Sequence, residues 1–193
     1  MLHKLSLYLS QKLVDLGAEK SKLAVYAYGM ECLLSTAIIL IIQFVAGALL
    51  GRVFEVLVFT LFWLPLRIMT GGFHANTHLW CTVISVGLCI VSAVITDYVL
   101  MIPNWVVFAV TLLSYIFIFA VAPIIHKNHP VSNSHRIKMR AAARVLETIE
   151  MLLIVLFYIF SFKVKTAAFM GFFSTAVLAF IGYFSKNTIK KFE

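Results

Sequence analysis

Residues 23–50 form a run of 28 positions whose only charged or amide side chains are Glu31 and Gln43. A bilayer core is crossed by about 20 apolar helical residues, so this run can span a membrane with turns to spare. Further apolar runs follow at residues 53–65, 79–101, 105–125, 145–162 and 166–184. With 62% hydrophobic and 12% charged residues and a mean hydropathy of +1.00, the chain lies far outside the composition of soluble domains. The pattern predicts an all-α polytopic integral membrane bundle of about six transmembrane spans, with residues 1–193 forming one domain.

The boundaries of that bundle are readable in part. In residues 1–20, Leu2, Leu5, Leu9, Leu13 and Leu16 recur at spacings of three and four among Lys4, Gln11, Lys12 and Asp15. This predicts an N-terminal amphipathic helix lying on a membrane face. No short apolar core with a small-residue cleavage site follows, so no removable signal peptide is expected. The second run stops at Pro65, which predicts a break or kink near that residue. Residues 126–140 are polar and predict a connection, and residues 185–193 a basic tail. The fifth run carries Glu147 and Glu150 near its start, one helical turn apart. Charges at membrane depth face a bundle interior or a cavity, and a pairing such as Arg144 with Glu147 would satisfy them. Glu31 is expected near an interface.

The net charge of +8 is spread between apolar runs, so it points to anionic lipid headgroups or an acidic substrate rather than to nucleic acid. Thirteen of the sixteen Lys and Arg residues fall at the termini, at Arg67 and in the stretch from Lys127 to Arg144; Arg52, Lys163 and Lys165 fall on the other side. Cytoplasmic connections collect Lys and Arg, so both termini are expected in the cytoplasm of a cell-membrane protein. Cys32, Cys81 and Cys89 are too few and scattered for a disulfide framework and read as reduced thiols.

One segment gathers reactive groups. Between the second and third runs lie Arg67, Gly71, Gly72, His74, His78 and Cys81. A cysteine peptidase needs a thiolate, a histidine to take and return a proton, and donors for an oxyanion. The glycine pair suits either a sharp re-entry or an oxyanion pocket. On a straight helix His78 is one turn from Cys81, while His74 would reach it from a loop before a helix capped by Asn76 or Thr77. Spacing alone leaves both histidines open. Two other classes share these residues. His74, His78 and Cys81 can present three zinc ligands at spacings of four and three, although no Glu adjoins a histidine as in the zinc-peptidase motif. A transporter or channel would place its site at interrupted spans in matching halves, and no internal repeat is visible.

The pattern of Arg67, four residues, Gly72, one residue, His74, six residues and Cys81 resembles the signature of the accessory gene regulator B (AgrB) family, membrane cysteine endopeptidases that mature quorum-sensing propeptides. Ala122, Pro123, Asn128, His129 and Pro130 suit the same resemblance. It implies His74 and Cys81 as a catalytic dyad, with no cofactor or metal. It also implies an AgrD-like propeptide as partner, with an amphipathic leader, a cysteine and an acidic tail; cleavage before that tail would pass through an acyl thioester to a thiolactone. Gly71 and Gly72 would support the loop or the oxyanion. Arg67, Arg140 and Arg144 would orient the loop or receive the tail, although each also reads as a topology charge. A second copy of the chain is a further candidate partner.

Cysteines introduced near Asn133 and in the tail should react with an impermeant maleimide only from the cytoplasmic side, and one near Asn104 only from outside. Labelling of Asn133 and Asn104 positions from the same side would contradict this topology.

Overall fold

The computed structural model describes residues 2–72, 78–125, 132–160 and 164–185. Among these there is no strand, and seven α-helices run in order. They are α1 (Leu2–Asp15), α2 (Leu23–Leu49), α3 (Val53–Thr70), α4 (His78–Val99), α5 (Asn104–Val121), α6 (Asn133–Ile159) and α7 (Lys165–Phe184). Five segments are long and apolar enough to cross a membrane: Lys20–Leu49, Val53–Thr70, Leu79–Val99, Asn104–Val121 and Lys165–Phe184. The fold is an all-α polytopic membrane bundle, as the apolar runs require.

Two expectations are revised and a third is extended. The run at 145–162 is not a separate element but the second half of α6, a helix of 27 residues that begins in the polar stretch at Asn133. The Ser132 hydroxyl caps its start by accepting from the His135 N–H at 3.4 Å. α6 is not among the five most apolar segments because its first half carries Arg136, Lys138, Arg140 and Arg144 and its middle carries Glu147 and Glu150. Secondly, α3 passes through Pro65 and continues to Thr70. Leu66 and Thr70 are fully buried beyond the proline, so packing holds the final turn where propensity alone would end it.

Thirdly, α1 is fastened to α2 by its small polar face. Ser6 and Ser10 are fully buried, their hydroxyls turned back onto the carbonyls of His3 and Ser6 at 2.9 and 2.7 Å. Leu5, Leu13 and Leu16 stay exposed, so the leucine face remains available to lipid. His3 Nδ1 meets a Glu31 carboxylate oxygen at 3.2 Å, which sets the level to which α1 accompanies α2. The part of α2 beyond Glu31, 18 residues to Leu49, is about 27 Å long, close to a bilayer core.

At the centre stands α7, many of whose buried positions are small, among them Ala167, Ala168, Gly171, Thr175, Ala176 and Ala179, beside the larger Phe169, Phe172 and Leu178. Lipid tails are as apolar as leucine, so helices associate in a bilayer through close packing at small residues. A Cβ at Gly171 would stand 2.6 Å from the Phe59 carbonyl oxygen, which shows how near α3 comes. Polar ties add to this. Gln43 donates from α2 to the Ser85 carbonyl of α4 at 3.1 Å. At the other end Arg52 bridges Asp97 at 2.5 Å and Glu55 at 3.3 Å. Those carboxylates, Asp97 first, raise the Arg52 guanidinium above its ordinary value.

Candidate functional site

The α3 helix ends because Gly71 takes φ +68° and Gly72 φ +117°, backbone regions that side-chain-bearing residues seldom adopt. The turn is pinned from three directions. The Gly71 N–H donates to the Arg67 carbonyl at 3.1 Å, closing the helix end. The Ile124 N–H donates to the Thr70 carbonyl at 2.8 Å, and Gly71 and Ile124 form a parallel bridge. The Arg67 guanidinium, through Nη1, donates to the Gly71 carbonyl. No side chain fits here: a Cβ at Gly71 would meet the Ile124 carbonyl oxygen, and one at Gly72 would meet Arg67 Nη1, with the Leu178 carbonyl oxygen 3.0 Å away. Because the Gly71 N–H is committed to Arg67, this residue shapes the loop and its amide is not directed at an oxyanion.

Cys81 occupies the first turn of α4, one turn after His78, at the positive end of the helix dipole. It is partly exposed, whereas Cys89, two turns further along, is buried among Val56, Phe59, Trp63, Ala93 and Leu178. The Arg67 guanidinium is near enough to Cys81 to interact with it electrostatically. The structure thus brings together Arg67, Gly71, Gly72 and Cys81. His74, with Asn76 and Thr77, lies outside the described residues, and so does the side chain of His78. Among the described residues no three His, Cys, Asp or Glu side chains gather as metal ligands.

Arg140 and Arg144 are placed by α5. Arg140 Nε donates to the Ala122 carbonyl at 3.2 Å. Arg144 donates to the Phe119 carbonyl at 3.5 Å and lies over the Phe119 ring at 4.3 Å. Both cations therefore cap the carbonyl end of α5, where the helix dipole favours them. Arg144 does not form the expected ion pair with Glu147, because its guanidinium is turned to Phe119.

Sequence reasoning missed the partner of the glycine turn, Ile124, and the backbone of Leu178 and Ala179 against Gly72. The signal for the former is Pro123, which ends α5 and leaves Ala122 extended before Ile124, after a cis peptide bond.

A multi-span helical membrane protein with a glycine turn held by an arginine, followed in the sequence by a cysteine-bearing helix, is the class that this fold and site define. The family model for accessory gene regulator B matches residues 2–181, and the chain belongs to that family. A protein of Clostridium perfringens (strain SM101 / Type A) described as AgrB-like is 26% identical over 170 aligned positions, covering 82% of this chain and 79% of its own. No solved structure matches the chain.

Gly72→Ala should lower the stability of the purified protein by about 1–3 kcal/mol, from backbone strain and the clash with Arg67. Gly87→Ala, where a Cβ has no neighbour within 4 Å, should not. Thermal unfolding in detergent reads the difference, and equal effects would contradict the packing described for Gly72.

Proposed function

We propose that the protein is a membrane-embedded cysteine endopeptidase that removes the C-terminal tail of a quorum-sensing propeptide and promotes thiolactone formation. The observation that carries this reading is the partly exposed Cys81 at the start of α4, beside Arg67 and the Gly71–Gly72 turn, in a chain of this family.

In this mechanism His74 takes the proton from the Cys81 Sγ. The thiolate adds to the carbonyl carbon before the tail, the C–N bond breaks, and His74 returns the proton to the leaving amine. The peptide is then held as a thioester on Cys81. The substrate's own cysteine gives its proton to His74 and attacks that thioester, and Cys81 leaves and is reprotonated. The products are a cyclic thiolactone and the free tail. The two thioesters are similar in energy, so excluding water and losing the tail both favour completion. Arg67 acts as a positioning residue: its bond to the Gly71 carbonyl fixes the turn from which residues 73–77 depart.

The substrate fits the charge of the protein. An AgrD-like propeptide with an acidic tail is drawn to Arg136, Lys138, Arg140 and Arg144 in the first half of α6, an attraction that salt weakens. Its amphipathic leader shares the membrane surface with the leucine face of α1. Both termini are assigned to the cytoplasm.

Propeptide cleavage in proteoliposomes tests this. Cys81→Ala and Cys81→Ser should abolish it while Cys32→Ala and Cys89→Ala retain it, and chelators should have no effect. His74→Ala should lose roughly two or more orders of magnitude, the scale of lost acid–base help, and His78→Ala much less. Cleavage by Cys81→Ala would refute the assignment, and equal losses at both histidines together with chelator sensitivity would favour zinc.

A further inference from the structure

The inward face of α6 reads Ala143, Glu147, Glu150, Ile154 and Tyr158, all buried. Glu147 is 0% and Glu150 4% exposed, and none of their four carboxylate oxygens has a hydrogen-bond partner among the described residues. Ala143, Ile154 and Tyr158 belong to the largest apolar core, so hydrocarbon brackets the pair on both sides. Arg144, one turn before Glu147, is a cation near enough to attract it, yet its hydrogen bond goes to the Phe119 carbonyl rather than to the carboxylate. On α6, Arg140 and Arg144 bond to α5 carbonyls. On α3, Arg67 bonds to Gly71, and Glu55 pairs with Arg52. On α5 the ionisable side chain is Tyr115, whose hydroxyl meets Thr148 at 3.2 Å. On α7 they are Lys165, over the Tyr158 ring at 4.9 Å, and Tyr183, edge-on to Phe117.

Two carboxylates one turn apart in such surroundings cannot both be ionised without a counterion: each would lose its hydration and repel the other. A metal cation would need several more oxygen ligands than the pair supplies, and the described residues offer no third carboxylate, His or Cys for it. A proton needs none. We propose that Glu147 and Glu150 form a proton-binding site within the membrane body, occupied at neutral pH. The site is independent of the cleavage chemistry, and its loss of a proton would place charge at the α5–α6 contact.

Dicyclohexylcarbodiimide tests this directly, because it partitions into bilayers and converts protonated carboxyls to N-acylureas. The full chain in proteoliposomes is treated at a series of pH values, and adducts are mapped by peptide mass spectrometry. Glu19 is the internal reference: it is exposed, and Lys22 and Ser21 hold its carboxyl below the usual range. At neutral pH, adduct at Glu147 or Glu150 should exceed that at Glu19 by at least ten-fold. It should fall as pH rises, since the ionised form does not react, and replacing choline with sodium should change it by less than two-fold. E147Q and E150Q, which mimic the neutral acid, should each lose the adduct at their own position and keep their membrane level within two-fold of the parent. Adduct no higher than at Glu19 would overturn the proposal. So would protection by sodium, which would make the site one for a metal cation.

Discussion

Backbone groups buried away from water must find partners within the protein, and the turn at Thr70, Gly71 and Gly72 is where this protein meets that demand outside a helix. The Thr70 carbonyl is taken by Ile124, the Gly71 amide by Arg67 and the Gly71 carbonyl by the Arg67 guanidinium. The two Arg67 bonds close the end of α3 on itself, and the Ile124 bond joins it to the segment after α5. Ile124 is available because Pro123 stops α5 one step earlier, and Gly72 fits because α7 presents only backbone at Leu178 and Ala179. The end of α3 is thereby held against the segment after α5 and against α7.

The same junction explains a division of labour among the basic residues. Arg67 turns its guanidinium to the Gly71 carbonyl, so its charge is local to the glycine turn. Arg140 and Arg144 spend hydrogen bonds on the end of α5, which steadies the segment that carries Ile124. Their remaining field still makes the first half of α6 a basic surface. Arg52, at the opposite end of the bundle, is neutralised by Asp97 and Glu55.

Much of the bundle is legible in the sequence because lipid exposure writes itself as long apolar runs. The run at 23–50 becomes α2, Leu23–Leu49, and the run at 166–184 becomes α7, Lys165–Phe184, with ends shifted by a residue. α6 was hidden because hydropathy separates its charged first half from its apolar second half. Its unity lies in the inward spacing of Ala143, Glu147, Glu150, Ile154 and Tyr158, which crosses that divide. The serine face of α1 was hidden by the stronger leucine pattern. For the site, the local spacing of Arg67, Gly72 and Cys81 was visible, but the pairing of Gly71 with Ile124 joins residues far apart in the chain and leaves no local mark. Nor could a sequence show that Arg144 prefers the Phe119 ring and carbonyl to Glu147, since a helical spacing of three permits the ion pair without requiring it.

The central claim is that a peptide is carried as a thioester on Cys81, and trapping that thioester is its most direct test. A propeptide whose own cysteine is replaced by serine keeps its scissile bond but has a much poorer nucleophile for the second step, so the first should accumulate its product. Intact-mass measurement of the protein should then show an added N-terminal peptide fragment, mapped to Cys81, released by neutral hydroxylamine and absent from Cys81→Ala. Release of the tail with no such adduct, or with the adduct on another residue, would contradict the account.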